Sequence, residues 1–456
     1  MEGIQKITDI INKLLSGKKY PQLHEMLACM EGADLAEILS EMDNDNLLVV
    51  FRLLPKELAA EAFVEMDSDR QETLISFFTD RELTRLLDEL YDDDTVDIIE
   101  EMPANVVQRI LKNASPETRR SVNELLKYPD NSAGSIMTTE YVNLRRHYTV
   151  AQAFAYIRSV ALDKETVYSC YVTDNRRLLG VVSVKNLLLA DEDTVVADIM
   201  DTNVIHVHTE DDREKIAAMF SHYDFLALPV VDREDRLVGI ITVDDAIDVL
   251  QEEADEDLAI LSAVTPTDKP YLKTGTGELW KARIPWLLLL MLSATLTGII
   301  ITHFENALSG LVVLTAFIPM LMGTGGNAGS QASVTVIRGI SMGEVEFKDI
   351  LKVIFKEFKV SVLCGVTLGV ATFAKVLLID RLLLGHAGIT VMVAMVVGIT
   401  LCATVILSKI IGCSMPLLAK KLGFDPAVMA SPFITTIVDA MSLLVYFGFA
   451  TWILNL

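Results

Sequence analysis

Five long apolar segments follow one another in the C-terminal part of the chain, and they constrain its fold more strongly than any other feature of the sequence. A helix needs about 20 mostly apolar residues to cross the hydrocarbon layer of a bilayer. The segments that meet this requirement lie at about residues 285–303, 310–336, 359–380, 388–413 and 431–454. The sequence therefore predicts a multidomain membrane protein in which residues 285–456 form a transmembrane domain of five helices.

Charge is distributed unevenly along the 456 residues, which carry a formal net charge of −24. By residue count, residues 281–456 carry about +4, so residues 1–280 carry about −28. An excess of acidic residues disfavours binding to nucleic acid, because phosphate groups are bound through Lys and Arg. We therefore expect cations, and no nucleic acid, as partners of the N-terminal part.

Basic residues between the apolar segments predict how the chain crosses the membrane. They are concentrated between the second and third segments and between the fourth and fifth, at Arg338, Lys348, Lys352, Lys356, Lys359, Lys420 and Lys421. Loops rich in Lys and Arg usually remain in the cytosol, and the first ten residues lack the pattern of a cleaved signal peptide. We therefore expect a multi-pass protein of the cell (inner) membrane, in contact with membrane lipid. Residues 1–280 would be cytosolic and the C-terminus would lie outside.

An internal repeat of twelve residues organises residues 1–130. Apolar residues recur at this spacing, at Met30, Met42, Leu54, Met66, Phe78, Leu90, Met102, Ala114 and Leu126. Residues that favour helix N-termini follow most of these positions, at Asp43, Pro55, Asp67, Thr79, Pro103 and Ser115. Each unit thus predicts one short helix and a tight turn, and the stacked units predict an α-helical solenoid. Within it, Asp92, Asp93 and Asp94 fit either a solvated helix N-terminus or a divalent-cation site completed by another domain.

Residues 131–250 contain two similar modules, each with a Met before a strand, then a helix, a strand, a Gly and a strand. The pattern resembles a tandem cystathionine-β-synthase (CBS) domain pair, an α+β fold. The match is best in the second module, at Leu228–Asp232 and Gly239–Thr242. In that family, the positions of Thr242 and Asp245 can hold the ribose and phosphate of an adenine nucleotide such as ATP. The alternative is that these two residues cap the last helix.

The last helix of the second module is predicted to continue over residues 244–262, with apolar residues on one face and carboxylates on the other. The carboxylates are those of Asp244, Asp245, Asp248, Glu252, Glu253, Asp255, Glu256 and Asp257. Each pair of like charges at helical spacing costs about 0.2–0.5 kcal/mol. The face therefore favours neutralisation by Mg²⁺ or Ca²⁺, which prefer carboxylate oxygen, and a fully solvated face is the alternative. A linker is predicted over residues 263–284.

Two features within the apolar segments indicate a path for a cation. Asp439 lies in the middle of the fifth segment, where a charged carboxylate costs about 2.5–3.5 kcal/mol and is a functional candidate by default. A protonated, hydrogen-bonded structural carboxyl group is the alternative. The second segment contains the glycine-rich run Pro319–Gln331, with Asn327 and Gln331 one helical turn apart. We expect its glycines to allow close helix packing and to loosen the backbone hydrogen bonding of the helix.

Together, the solenoid, the CBS pair, the acidic helix and the apolar segments resemble the MgtE family of magnesium channels over nearly the whole chain. The most specific matches are Pro319–Gln331 and Pro432–Asp439. The resemblance implies a homodimer with the pore between its subunits. It also implies that Asp439 binds hydrated Mg²⁺, and that Asn327 and Asp425 line the path of the ion.

The same resemblance implies regulatory Mg²⁺ sites in the cytosolic part. The connecting helix is similar to the plug helix of the family, whose regulatory acids correspond here to Asp245, Asp248, Glu253, Glu256 and Asp257. Asp224 corresponds to a regulatory position of the second CBS module, and Asp92 and Asp93 correspond to acids of the solenoid. The implied function is a Mg²⁺-selective channel for magnesium uptake that high cytosolic Mg²⁺ closes.

Two other functions are compatible with parts of the sequence. A secondary antiporter that couples Mg²⁺ to Na⁺ or H⁺ would share the membrane features. A membrane enzyme regulated by CBS domains is less compatible, because the apolar segments contain no His-Glu zinc motif, no nucleophile paired with a base and no P-loop. We therefore expect a transporter and not an enzyme.

Overall fold

A computed structural model describes residues 2–267, 271–272, 274–304, 312–385, 388–429 and 431–454. These residues form two compact units, of which the first ends at Gln251 and the second begins at Glu252. Within the described residues, the first unit starts with ten helices, α1 to α10, at Glu2–Ser16, Tyr20–Leu27, Gly32–Ser40, Asn44–Phe51, Lys56–Val64, Ser68–Phe77, Asp80–Leu87, Asp92–Glu101, Ala104–Asn113 and Pro116–Leu125. The prediction of short helices joined by tight turns is confirmed.

The twelve-residue repeat supplies the core of this helical domain. Six of its apolar positions are buried, at Met42, Met66, Phe78, Leu90, Met102 and Ala114. Met30, Leu54 and Leu126 are partly buried and pack against the same core. Capping fixes where individual helices begin: the hydroxyl of Thr79 accepts a hydrogen bond from the backbone N–H of Glu82, and the Glu82 carboxylate accepts one from the backbone N–H of Thr79.

Two small mixed sheets follow the helical domain. The first contains β1 (Tyr141–Arg145), β2 (Thr166–Asp174) and β3 (Arg177–Ser183), and the second contains β4 (Val207–His208), β5 (Ala227–Val231) and β6 (Leu237–Thr242). In each sheet the first strand runs parallel to the second, and the second and third strands form an antiparallel hairpin. Helices α11 to α14 lie between the strands, at Val150–Val160, Val184–Leu189, Val196–Ile199 and Arg213–Tyr223. This is the order of elements predicted for a CBS pair.

Backbone hydrogen bonds join the two modules at corresponding positions. Thr138 exchanges two backbone hydrogen bonds with Ile240, of 2.8 and 2.9 Å, and Asp201 does the same with Val181 at 2.8 and 2.9 Å. The first contact requires a glycine, because a Cβ atom on Gly239 would lie 2.8 Å from the carbonyl oxygen of Thr138. Gly239, which lies within β6, therefore permits the close approach of these two segments of the chain.

The acidic segment forms one continuous helix, α15, at Val243–Leu261. The second unit contains five helices that are long and apolar enough to cross a membrane, as counted over the described residues, in agreement with the predicted number. They are α16 (Thr276–His303), α17 (Ile318–Ser341), α18 (Ile350–Lys375), α19 (Val391–Leu422) and α20 (Ser431–Leu454). A 3₁₀ turn at Val312–Phe317 precedes α17, and a π-helical turn at Val376–Leu383 follows α18.

The ends of these helices differ from the prediction, because the helices continue beyond the apolar segments. Most of the basic residues predicted to lie in loops are helical, at Arg338, Lys352, Lys356, Lys359, Lys420 and Lys421. Helix α16 begins at Thr276, inside the segment predicted as a linker. Lys and Arg are good helix formers with long apolar stems, so a helix can extend into the polar region after its apolar face ends.

The glycine-rich run lies within the uninterrupted α-helix α17, so the expectation that it loosens the backbone hydrogen bonding is wrong. The glycines instead allow close packing, as was also expected. A Cβ atom on Gly325 would lie 2.9 Å from the hydroxyl oxygen of Ser442, and one on Gly412 would lie 2.2 Å from the carbonyl oxygen of Gly329. Membrane helices associate through small residues of this kind, since their backbones can then approach closely.

Candidate cation-binding sites

Three carboxylates from separate segments of the first unit meet at one point. Asp93 lies in the first turn of α8, Glu140 directly precedes β1, and Glu165 directly precedes β2. Each offers an oxygen atom, and these oxygens all lie within 4.8 Å of one another. Asp93 is only 8% exposed, and its Oδ1 atom has no hydrogen-bond partner within the described part of the chain. A buried, unpaired carboxylate oxygen of this kind requires an explanation.

Local contacts hold the start of α8 against the segment before β1. The backbone N–H of Asp92 donates to Oε2 of Glu140 at 3.1 Å, and the hydroxyl of Thr139 donates to Oδ2 of Asp92 at 2.6 Å. Asp92 is thus bonded within the protein, whereas the neighbouring Asp93 contributes a carboxylate oxygen to the cluster. Of the two residues predicted as acids of the solenoid site, Asp93 is the one in position to contact an ion.

Glu140 and Glu165 were not predicted from the sequence. They meet because β1 and β2 are parallel and begin side by side, with Tyr141 opposite Thr166. The backbone N–H of Glu165 also donates to the carbonyl oxygen of Glu140 at 3.0 Å. Each glutamate is the residue immediately before a strand of the structure, and the pairing of the two strands makes them neighbours.

The electrostatics of the cluster favour a cation. Burial raises the pKa of Glu140 to about 7, and the nearby Asp92 adds to this effect. Burial and then Asp94 raise the pKa of Glu165 to about 8. Burial and then Asp245 raise the pKa of Asp93 well above its usual range. Carboxylates with raised pKa values are destabilised as anions, and a divalent cation that accepts oxygen ligands relieves that destabilisation. The donor set therefore fits a hard divalent ion such as Mg²⁺.

Asp245 belongs to the same acidic region, and its partner is Thr242. The hydroxyl of Thr242 donates to Oδ2 of Asp245 at 2.6 Å, and the backbone N–H of Thr242 approaches the same atom at 3.3 Å. This geometry matches the alternative in which the two residues cap α15. Burial raises the pKa of Asp245 to about 7, opposed by the Thr242 hydrogen bond and reinforced by Asp244.

Two other predicted regulatory residues occupy different surroundings. Burial and the adjacent Asp244 raise the pKa of Asp248. Asp224 is exposed at the C-terminus of α14, where it adopts a left-handed conformation with φ of 54°. Among the described residues, Asp224 is not one of the three carboxylates that meet around Asp93.

The last turns of α15 contribute to a second acidic group. Burial raises the pKa of Asp257 to about 6, and Asp425, Glu253 and Glu256 reinforce the shift in that order. Asp425 is exposed, and its Oδ1 atom accepts a hydrogen bond of 2.7 Å from the backbone N–H of Ala427. The structure thus brings Asp425, predicted to line the ion path, together with three acids predicted to be regulatory.

Asp439 lies in α20, within the membrane-spanning part. It is half-buried, and its Oδ1 atom is buried without a hydrogen-bond partner in the described part of the chain. A Cβ atom on Gly326 would lie 2.9 Å from Thr435, one helical turn before Asp439, so the glycine-rich run packs beside this region. Asn327, the next residue of α17, is exposed.

The structure combines five membrane-spanning helices, which contain a buried carboxylate, with a CBS pair and a helical domain that contain clustered acids. This combination defines a cation transporter with a regulatory domain. Comparisons with known proteins agree. A family model described as divalent cation transporter matches residues 318–449, the model of the MgtE intracellular N domain matches residues 30–131, and the CBS domain model matches residues 133–193 and 196–252.

The chain is similar to magnesium transporters over nearly its full length. It is 37% identical to the magnesium transporter MgtE of Thermus thermophilus over 438 residues, which cover 95% of each chain. It is 33% identical to the MgtE of Bacillus subtilis, with 96% of this chain and 95% of the relative covered. The chain belongs to the MgtE family of magnesium transporters. It is therefore a membrane transporter with cytosolic N-terminal domains, and not an enzyme.

Solved structures of soluble domains agree with the fold of the first unit. The cytosolic domain of the Mg²⁺ channel MgtE in complex with ATP is 38% identical, and the match covers 53% of this chain and 100% of that one with a TM-score of 0.51. The soluble part of a magnesium transporter is 31% identical, and the match covers 55% of this chain and 99% of that one with a TM-score of 0.52.

Proposed function

We propose that this chain forms a Mg²⁺ channel that admits magnesium to the cell and is closed by cytosolic Mg²⁺. The observation that carries the proposal is the buried Oδ1 atom of Asp439 in a membrane-spanning helix, which has no hydrogen-bond partner among the described residues. An ionisable residue at that depth is costly unless it serves the passage of an ion. The family and its relatives support Mg²⁺ as that ion.

In the proposed path, Asp439 attracts Mg²⁺ without removing its inner water molecules, because Mg²⁺ dehydrates reluctantly. The exposed amide of Asn327 in α17 suits contact with those waters. In a homodimer with the path between subunits, two symmetry-related copies of each side chain would face the ion. The C-terminus would lie outside the cell.

Closure is proposed to use the two acidic groups of the cytosolic part. Asp93, Glu140 and Glu165 bind one ion beside Asp245, and Asp257 with its acidic neighbours binds another. Helix α15 carries Asp245 in its first turn and Asp257 near its end. Ions at both groups therefore act on the same helix, and loss of the ions leaves its carboxylates repelling one another.

An adenine nucleotide such as ATP is a proposed further ligand of the CBS pair, since a related cytosolic domain was crystallised with ATP. Binding through Thr242 and Asp245 would have to break the hydrogen bond of 2.6 Å between their side chains. Isothermal titration of the full chain with ATP, repeated with Thr242→Ala, tests this site. Equal affinity in the two proteins would exclude Thr242 from it.

The channel is tested by Mg²⁺ uptake into proteoliposomes. We expect Asp439→Asn to abolish uptake and to leave the elution volume of the detergent-solubilised protein unchanged. Glu344→Gln, at an exposed position between α17 and α18, is the matched control and should retain full uptake. Normal uptake by Asp439→Asn would refute the role of Asp439. Uptake that requires a Na⁺ or H⁺ gradient would identify an exchanger instead of a channel.

A further inference from the structure

Two histidines and an aspartate of the second CBS module form a cluster that differs chemically from the carboxylate sites. His206 and His208 flank Val207 at the start of β4, so both side chains lie on the same side of the strand. Asp235 lies in the turn between β5 and β6. One ring nitrogen from each histidine and one oxygen of Asp235 all lie within 4.8 Å of one another. The two imidazole rings are 5.8 Å apart, centroid to centroid.

A neighbouring oxygen atom orients the imidazole ring of His206, and a carboxylate lies near the ring of His208. The Nδ1 atom of His206 is 3.0 Å from the carbonyl oxygen of Val204. A carbonyl oxygen can only accept, so Nδ1 carries the proton and Nε2 is left with a free lone pair. The Nδ1 atom of His208 is 3.8 Å from Oδ2 of Asp211. Histidines that bind metals are commonly held in this way, by an oxygen atom at the nitrogen that does not bind the ion.

We propose that His206, His208 and Asp235 bind a divalent transition-metal ion of the Zn²⁺, Co²⁺ or Ni²⁺ class. Imidazole nitrogen is a preferred ligand of these ions, whereas Mg²⁺ prefers oxygen alone. Both imidazoles are exposed, and His206 and Asp235 border a cleft of about 180 Å³, so water molecules can complete the coordination. The site is therefore selective against Mg²⁺, the ion that suits the carboxylate clusters.

Metal binding at this cluster competes with a contact between the two CBS modules. In the structure, Nη2 of Arg177 lies 3.0 Å from Oδ2 of Asp235. Arg177 begins β3 of the first module, and the backbone N–H of Leu178 donates to the carbonyl oxygen of Asp235 at 3.2 Å. An ion bound to Asp235 draws the carboxylate away from Arg177. The occupancy of the site therefore affects the junction of the two modules.

Co²⁺ is the probe for this site, because its visible absorption reports on nitrogen ligands. The full chain in detergent is titrated with Co²⁺ in the presence of saturating Mg²⁺, which fills sites made of oxygen. We expect one high-affinity Co²⁺ site per chain. His206→Gln combined with His208→Gln should weaken it at least about tenfold, while His222→Gln, an exposed histidine outside the cluster, should leave it unchanged.

A second variant separates a metal site from general damage to the fold. Arg177→Gln frees Asp235, so we expect Co²⁺ to bind up to about fivefold more tightly, the range expected for release of an exposed ion pair. The double histidine variant should keep the metal-free melting temperature and the Mg²⁺ uptake of the wild type. The proposal would be overturned if the double histidine variant bound Co²⁺ as tightly as the wild type, or if Mg²⁺ displaced Co²⁺. Weaker Co²⁺ binding by Arg177→Gln would also overturn it.

Discussion

The cluster of Asp93, Glu140 and Glu165 predicts that Glu140→Gln stabilises the folded protein at neutral and alkaline pH in the absence of Mg²⁺. The pKa of Glu140 is raised from its usual 4.5 to about 7 in the folded protein. Between these two pH values the folded state binds more protons than the unfolded state, so stability falls as the pH rises and remains lowered above about pH 7. At 1.36 kcal/mol per pKa unit, the upper limit is about 3 kcal/mol. Because Glu140 is only partly buried, solvent screening reduces the expected cost to about 1–2 kcal/mol.

Glutamine removes the charge at Glu140 and keeps an oxygen that can accept the hydrogen bonds from Asp92 and Thr138. Hydrogen–deuterium exchange of Asp92–Glu101 in the full chain measures the local opening that exposes this site. Without Mg²⁺ at pH 8, we expect Glu140→Gln to slow this opening by about 5–30-fold. The difference should disappear below about pH 5. The control Glu117→Gln, at an exposed position in α10, should show no change.

Added Mg²⁺ should make Asp92–Glu101 exchange more slowly in the wild type than in Glu140→Gln. The wild type should gain protection of Asp92–Glu101, because the bound ion neutralises the buried carboxylates. Glu140→Gln should gain much less, because it has lost one of the three oxygen ligands that meet at the site. If Glu140→Gln exchanged faster than the wild type without Mg²⁺ at pH 8, the charge of Glu140 would not destabilise the site. If Mg²⁺ protected both proteins equally, Glu140 would not be a ligand of the ion.

Two further predictions concern the packing of the membrane helices. Nζ of Lys409 lies 3.5 Å from Oε2 of Glu357, and the two side chains are 8% and 14% exposed. We expect Glu357→Gln to cost about 3–5 kcal/mol, because it leaves Lys409 unpaired. The cost is measured as a lower melting temperature in detergent, which a second change, Lys409→Met, should partly restore. Gly412→Ala should lower the melting temperature, because its Cβ atom would lie 2.2 Å from the carbonyl oxygen of Gly329. Gly448→Ala should leave the melting temperature unchanged, because no neighbouring atom of the described residues would lie within 4 Å of its Cβ atom.

The sequence predicts features that depend on local periodicity. The twelve-residue repeat at positions such as Met42 and Phe78, and the apolar segment around Asp439, each show their pattern along one continuous stretch of sequence. The meeting of Glu140 and Glu165 could not be predicted in this way, because the parallel pairing of two strands creates it from residues that are distant in sequence. Such pairing is invisible to local patterns.

Helix ends and glycine roles were predicted less well, for a related reason. Lys420 belongs to α19 because lysine continues a helix after the apolar segment has ended. Gly329 lies in an intact α-helix, and its backbone packs closely against Gly412 of another helix. The sequence around Gly329 gives no sign of this contact. The closeness of Asp425 and Asp257 likewise depends on how the chain folds back, and not on either segment alone.

If Mg²⁺ bound by the cytosolic carboxylates closes the path that contains Asp439, as proposed, raising Mg²⁺ on the side of the cytosolic domains should stop Mg²⁺ uptake into proteoliposomes by the wild type. In the combined variant Glu253→Gln, Glu256→Gln and Asp257→Asn, uptake should continue, whereas the control Glu344→Gln should behave as the wild type does. Equal inhibition of the combined variant and the wild type would rule out these carboxylates as the site of closure.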